Sequence, residues 1–168
     1  MLRGIVLFLA LVSGDTPQEA VENTWAALRD GSPRDFLGSL TDETSSAILD
    51  TCREYLDTLR TLTGDDLGEI FASVRLEAAP DEVHHWDAMA VLEMVISSPG
   101  HHSLLNDTEI SIDSVDTRDG VAVVYLTVMP PDGSPEEIII MAASSPLGWR
   151  TGGLEPLAES ALEYMMAP

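Results

Sequence analysis

One stretch, VAVVYLTVM at Val121–Met129, constrains the fold of this chain more than any other. It is rich in β-branched residues and follows Asp119-Gly120, a pair typical of a two-residue hairpin turn. Alternate side chains of a strand point to opposite faces of its sheet, and here both sets are mostly apolar. A strand with one solvated face would alternate apolar and polar residues. The stretch therefore predicts a β-strand in a sheet that must be covered on both faces.

The region before this strand has the periodicity of helices. Thr16-Pro17-Gln18-Glu19 is a capping box with proline at the first helical position, and Gly31 ends the helix that it begins. Ser32-Pro33 repeats the start signal for a short second helix. Three further helices are predicted: one capped by Thr41 or Asp42 and broken by Gly64, one that stops near Ala79-Pro80, and one capped by Asp81 and ended by Pro99-Gly100.

The region after residue 106 has the pattern of strands joined by tight turns. Sequential antiparallel strands with such connections form a meander. The expected fold is α+β, with N-terminal helices packed on a C-terminal curved antiparallel sheet of about four strands, and residues 15–168 form a single domain. We predict strands at Thr108–Val115, Val121–Met129, Ile138–Ala143 and Trp149–Thr151, and a closing helix at Leu154–Met166.

The first residues have the order of a secretory signal peptide. Arg3 gives a positive start, Gly4–Val12 is an apolar run of nine residues, and Ser13-Gly14 supplies small residues for cleavage. Such a run is too short to cross a bilayer, which needs about 20 apolar residues. We expect residues 1–14 to be removed, and the protein to be secreted or periplasmic with no membrane insertion afterwards. The alternative interpretation is a buried N-terminal strand or helix.

Charge narrows the classes of partner. Asp and Glu number 29 against 8 Lys and Arg, so the net charge is −21, and every basic residue is Arg. Such a surface repels phosphate backbones, so nucleic acid is not an expected partner. The acid excess fits either a surface for cations and basic partners or an adaptation to solvent. Because the acids are scattered rather than clustered, we favour the second interpretation.

The single cysteine, Cys52, cannot form an internal disulfide. It falls on the apolar stripe of the third predicted helix, together with Ile48, Tyr55 and Leu59. For this reason we favour a buried apolar residue over an intermolecular disulfide.

Residues at both ends of the chain resemble a known superfamily. Thr16–Val21, Trp25–Gly31 and Asp35-Phe36-Leu37 are similar to the first two helices of the nuclear-transport-factor-like, or ketosteroid-isomerase-like, superfamily of cystatin-like folds, in particular its exported bacterial members. The resemblance implies a curved sheet that wraps a long helix to form a conical pocket. Three further segments of this chain resemble the last strands of that superfamily: Gly120–Val128, Asp132-Gly133 and Gly148-Trp149-Arg150.

Histidines are the obvious candidates for a metal site. They occur as two pairs, His84-His85 and His101-His102. Adjacent residues on a helix point about 100° apart, so neighbouring histidines do not easily share one metal ion. The two pairs also flank a predicted helix that separates them by more than about 20 Å. We therefore expect no metal site and no cofactor.

Few ionisable residues could carry proton transfer. The resemblance implies that a catalytic member would place a Tyr, Asp or His inside the cone, and the nearest candidates are Tyr55, His85 and Asp87. Tyr55 lies on an apolar stripe, which favours a core tyrosine, and His85 and Asp87 face different sides of their predicted helix. The residues expected to line a ligand pocket are Trp25, Tyr55, Trp86 and Tyr125.

These observations predict a non-enzymatic, exported domain that binds a small apolar ligand or an envelope or extracellular protein partner. Two alternatives stay open: a small pocket enzyme of the isomerase or dehydratase type, and a structural scaffold that uses a sheet face. The second apolar face of Val121–Met129 and Ile138–Met141 must be covered either by the closing helix Leu154–Met166 or by a second subunit. Because that helix is long enough to shield only part of a four-stranded sheet, we favour a homodimer packed sheet to sheet. Val124→Arg or Ile139→Arg is expected to split it.

Overall fold

The computed structural model describes residues 13–73, 75–99, 105–131 and 133–156, together with residues 159 and 162. Its helices precede a four-stranded antiparallel sheet whose strands lie in sequential order, and the sheet is not closed. The α+β class predicted from the sequence is therefore confirmed.

The helices begin where local capping signals predict. The side chains of Thr16, Ser32 and Thr41 each accept a hydrogen bond from the backbone N–H three residues later, which starts the first three helices. Of the helices within the described residues, none is long and apolar enough to cross a membrane. The helices of the described residues are α1 (Pro17–Arg29), α2 (Pro33–Ser39), α3 (Asp42–Leu59), α4 (Gly64–Ser73), a 3₁₀ helix (Pro80–His85) and α5 (Ala88–Ser97).

The prediction of a single long helix starting at Asp81 is wrong. The chain instead forms the 3₁₀ helix Pro80–His85, becomes extended, and then enters α5. Asp87 Oδ1 accepts a hydrogen bond from the backbone N–H of Ala90 at 2.9 Å. An N-cap residue takes extended dihedral angles while its side chain bonds the first helical turn, so capping by Asp87 interrupts a continuous helix.

Helix α4 ends earlier than predicted, at Ser73 rather than near Ala79-Pro80. Arg75 has a φ of 55°, which is the left-handed conformation. The backbone N–H of Leu76 donates to the carbonyl oxygen of Phe71 at 2.8 Å, the long bond of a Schellman motif. Glycine usually occupies the left-handed position of this motif, so an arginine there does not mark the end of a helix in the sequence.

The strands form the predicted meander. Asp119 and Gly120 have φ values of 52° and 79°, the two positive values of a type I′ hairpin turn. Most of the closing helix predicted at Leu154–Met166 lies outside the described residues. The strands are β1 (Glu109–Arg118), β2 (Val121–Met129), β3 (Glu136–Ser145) and β4 (Gly148–Gly152).

Strand β2 carries two apolar faces that differ in their cover. Ala122 and Val124 are fully buried and Leu126 nearly so, on the side against which α1 packs. Val124→Arg would therefore disrupt the core, so it is not a test of a dimer as the sequence predicted. The inner face consists of Ala122, Val124, Leu126, Val128, Ile138, Ile140, Ala142 and Thr151, and the outer face of Val121, Val123, Tyr125, Met129, Ile139 and Met141.

A residue from the start of the chain pairs with the edge of β4. The backbone N–H of Gly14 donates to the carbonyl oxygen of Trp149 at 3.1 Å. In return, the N–H of Trp149 donates to the carbonyl oxygen of Gly14 at 2.8 Å. A Cβ atom on Gly14 would lie 2.3 Å from the backbone nitrogen of Ala20, so only glycine fits. Residues 1–12 of the predicted signal peptide lie outside the described residues.

Candidate functional site

A cavity of about 70 Å³ lies between α1 and the inner face. Part of its lining is buried and part is half-buried, so we distinguish a floor from a rim. The floor residues are Val21, Thr24, Leu126, Ile140, Thr151 and Leu154, and the rim residues are Trp25, Leu28, Ile110, Val128 and Ile138.

Helix α1 supplies one wall of the cavity because its apolar residues recur at helical spacing. Val21, Trp25 and Leu28 stand at positions i, i+4 and i+7, which places them on one face of the helix. The opposite wall comes from alternate residues of β1, β2 and β3, which share one side of the sheet. The cavity therefore exists only where the helix has packed on the sheet.

Three buried hydroxyl groups meet at the floor. Thr24 Oγ1 lies 2.9 Å from Ser39 Oγ, 2.8 Å from Thr151 Oγ1 and 2.9 Å from the carbonyl oxygen of Ala20. Ser39 Oγ donates to the carbonyl oxygen of Phe36 at 2.6 Å. Each hydroxyl has one proton, so these groups have fewer protons than contacts and none to spare for a ligand. The cluster joins α1, α2 and β4.

The lining of the cavity presents carbon almost throughout. Thr24 and Thr151 direct their oxygens to each other, which leaves their methyl groups for the cavity. A water molecule needs two to four polar partners, so a cavity of this kind stays dry. An engineered cavity that binds benzene measures about 150 Å³, so this one has room for a few carbon atoms rather than a ring.

The four aromatic residues predicted to line a pocket lie in different places. Trp25 is at the rim of the cavity. Tyr125 belongs to the outer face and is 37% exposed, so the sheet separates it from the cavity. Trp86 stacks on Phe71 with ring centroids 5.5 Å apart. Among the four, only Trp25 lines this cavity.

Tyr55 belongs to the hydrophobic core, on the apolar stripe of α3. It is buried, and its hydroxyl has no hydrogen-bond partner in the part of the chain that the structure describes. Burial raises the pKa of Tyr55 to about 12, because the phenolate would lose its hydration. A phenol with this pKa is a weak acid at neutral pH, and it is not a lining residue, so proton transfer at the cavity gains no support from it.

His85 and Asp87 are not lining residues either. His84 and His85 are exposed on the 3₁₀ helix, and the Asp87 carboxylate caps α5. Within the described ranges, no group of three His, Cys, Asp or Glu side chains could hold a metal ion. His101 and His102 lie outside those ranges.

Cys52 is a buried free thiol, as its place on the apolar stripe predicted. Burial raises the pKa of this thiol to about 11, and the adjacent Arg53 opposes the effect only in part. Because the thiolate is the reactive form, a thiol that is both neutral and inaccessible is inert.

The hydroxyl cluster was not predicted from the sequence. Thr24 stands three residues after Val21 on the same face of α1, and this spacing was the available signal. Ser39 and Thr151 gave no signal, because they lie 15 and 127 residues from Thr24 and only the fold brings them together.

Comparison with known proteins does not assign a family. The chain matches no protein-family model, no curated protein and no solved structure. The resemblance to the nuclear-transport-factor-like superfamily therefore stays a prediction, and the function has to be inferred from the geometry of the cavity and of the sheet.

Proposed function

We propose that this protein is an exported, non-enzymatic domain that binds the aliphatic part of a small apolar ligand between α1 and the inner face. The observation that carries the proposal is the lining, which is carbon almost throughout and has a buried floor and a half-buried rim. An alkyl group that enters the cavity leaves water and contacts carbon. Its burial contributes about 25 cal/mol to the free energy of binding for each Å² of apolar surface removed from water.

The size of the cavity and the net charge of the chain restrict the ligand. A volume of about 70 Å³ admits the tip of a flexible hydrocarbon chain. The following carbon atoms would then contact the rim, where Trp25 and Leu28 are half-buried. Because the net charge is −21, a neutral or cationic head group is favoured over an anionic one.

An isomerase or dehydratase that works by proton transfer is less well supported. Such a site needs two or more ionisable groups that converge on an apolar cavity. The described lining residues include no ionisable side chain. The candidates Tyr55, His85 and Asp87 all lie outside this lining.

Trp25 provides a direct test of binding. In a Trp86→Phe/Trp149→Phe background it is the sole tryptophan. The probe is 10-bromo-1-decanol, which has a neutral head group and carries a quenching bromine at the tip of its chain. We expect saturable quenching of Trp25 fluorescence as the tip enters the cavity, and we expect 1-decanol to reverse it by competition.

A matched pair of substitutions on β2 separates the cavity from the rest of the sheet. Val128 lines the rim and Val123 belongs to the outer face, and both are half-buried. In the same background, Val128→Phe should fill the mouth and abolish quenching, whereas Val123→Phe should preserve it. Absence of saturable quenching in the parent protein, or equal quenching in the two variants, would contradict the proposal.

Export is a part of the proposal with its own test. Its support is the charged, apolar and small-residue order of residues 1–14. The N-terminal sequence of the secreted protein should begin within a few residues of Asp15. Cleavage directly before Asp15 would remove the pairing of Gly14 with Trp149, so the sequencing also reports whether that edge stays covered. Intact Met1 on soluble, folded protein would contradict export.

A further inference from the structure

The outer face is an apolar surface without cover from the described residues. Ile139 is 62% exposed, Met141 49% and Val121 46%. The register pairs Tyr125 with Ile139 and Val123 with Met141, so these side chains form one continuous surface. Monomers rarely expose contiguous apolar patches larger than a few hundred Å².

The described part of the C-terminal segment lies on the other side of the sheet. Leu154 lines the cavity at the inner face. Glu155 Oε1 accepts a hydrogen bond from Thr44 Oγ1 on α3 at 2.8 Å. Leu162 is buried within the core. These contacts direct this part of the segment towards the helices and away from the outer face.

Opposite charges mark the two ends of the outer face. Glu109 pairs with Met129 and Arg118 pairs with Val121, so both charged side chains stand on the outer side. Eight residue steps along a strand separate them by about 27 Å. Arg118 Nε lies 3.6 Å from an Asp119 carboxylate oxygen with both side chains 93% exposed, which is a weak pair that a better partner can replace.

We propose that the outer face binds a second copy of this chain, with the two β2 strands antiparallel to each other. A two-fold axis that lies in the interface, at right angles to β2 and near Tyr125 at its middle, gives this arrangement. Arg118 of each copy then lies over Glu109 of the other, and the apolar side chains meet at the centre. Sheets that pack face to face keep their strand directions within about 30°, which is compatible with this register.

Charge disfavours the other two-fold arrangement, in which the axis runs parallel to β2. That axis would place β1 of one copy over β3 of the other. Glu109 would then approach Glu137, which pairs with Thr127 and so stands on the outer side. Like charges brought together at an interface oppose association. The antiparallel arrangement also brings Asp116 of one copy near Asp113 of the other, since Asp116 pairs with Val123 and Asp113 accepts a hydrogen bond from Thr127 on the outer side. It is still favoured, because it joins Arg118 to Glu109 at both ends, whereas the other arrangement joins acids only.

The size of the outer face predicts a reversible dimer. Nine residues of β2 span about 30 Å, and four strands span about 15 Å across. The area is therefore about 450 Å², well below the roughly 800 Å² of accessible surface that each partner of a standard interface buries, so the interface is small. We expect monomer and dimer to exchange at micromolar concentrations.

Sedimentation equilibrium of the mature protein from low to high micromolar concentration tests the interface. The wild type should show a monomer–dimer equilibrium. Ile139→Arg should remain monomeric throughout, and its exposed position makes the fold tolerant of the change. The matched control is Met89→Arg, which places the same charge at an exposed apolar position on α5 and should leave the equilibrium unchanged.

Charge reversal tests the orientation. Arg118→Glu and Glu109→Arg should each weaken dimerisation about tenfold, because each replaces attraction by repulsion at two symmetric contacts. The double variant Glu109→Arg/Arg118→Glu should restore the wild-type dissociation constant. Net charge alone predicts a stronger dimer for Glu109→Arg, since each copy becomes less negative. A monomeric wild type, a stronger Glu109→Arg dimer, or a double variant no better than the single ones would overturn the proposal.

Discussion

The inner and outer faces of β2 consist of similar residues in opposite environments. Ala122 and Val124 are fully buried, whereas Val121 and Tyr125, on the same strand, are 46% and 37% exposed. Helix α1 packs on the inner face, and no described residue performs that role on the outer face. The difference shows that apolar side chains indicate which faces of a strand need cover, while the rest of the chain decides which face receives it.

The largest contrast is expected from placing the same charge on each face. Val124→Arg buries an unpaired charge and should lower the free energy of unfolding by about 4 kcal/mol or more. Ile139→Arg leaves its charge in solvent and should change the monomer's stability by less than about 1 kcal/mol. Urea denaturation at low protein concentration measures both. Similar losses for the two variants would show that the outer face is covered within the monomer.

The hydrophobic core on the inner side of the sheet should also exclude charge. Cys52 belongs to this core, so the pH dependence of stability tests the exclusion through its thiol. The pKa of its thiol rises from 9.0 to about 11 on folding, so the folded state holds the proton more tightly than the unfolded state. Stability is therefore full below pH 9.0 and falls as the pH rises towards 11. The loss reaches about 2–3 kcal/mol, since each pKa unit corresponds to about 1.4 kcal/mol.

Cys52→Ala provides the control for this titration. The substitution removes the thiol, so the decline in the urea-derived free energy of unfolding above pH 9.0 should become shallower. An unchanged slope would show that Cys52 titrates equally in both states, and hence that its surroundings are wet. As a second comparison, Ile139→Cys in the Cys52→Ala background should react with a thiol reagent in the folded state, whereas Cys52 should not.

A threonine-to-valine exchange on each side of the sheet should give a smaller contrast. Thr24→Val removes the hydroxyl that contacts Ser39 and Thr151, and should cost about 1–3 kcal/mol because buried polar groups lose their partner. Thr127 donates instead to the exposed Asp113 at 2.8 Å, so Thr127→Val should stay within about 0.5 kcal/mol of the wild type. Thermal or urea unfolding measures both. A neutral Thr24→Val would show that the cluster adds no stability.

Salt should have the smallest effect, because it acts on exposed acids rather than on either apolar face. At a net charge of −21 the chain repels itself, and salt shortens the Debye length from about 10 Å at 0.1 M to about 3 Å at 1 M. The melting temperature of the Ile139→Arg monomer should therefore rise by a few degrees in molar NaCl. A flat or falling trend would mean that neighbouring groups already compensate the acids.

Features set by neighbouring residues could be predicted from the sequence, and features set by distant ones could not. The caps at Thr16 and Ser32 and the turn at Asp119-Gly120 depend on a few adjacent residues and are confirmed. The face on which Tyr125 lies could not be assigned, because both faces of β2 are apolar and the period-two pattern carries no contrast. Asp87 is a residue type that commonly caps helices, but the apolar periodicity on both sides of it predicted one continuous helix instead.

The pairing of Gly14 with Trp149 has a consequence for how the chain is made. The two residues lie near opposite ends of the sequence, so the edge of β4 cannot form until the last strand has been synthesised. At roughly 5–20 residues per second, about 7 to 27 seconds separate the emergence of these two residues from the ribosome. During that interval Gly14 has been synthesised but its partner on β4 has not. A targeting signal within residues 1–12 would therefore reach the export machinery before the chain could fold around it.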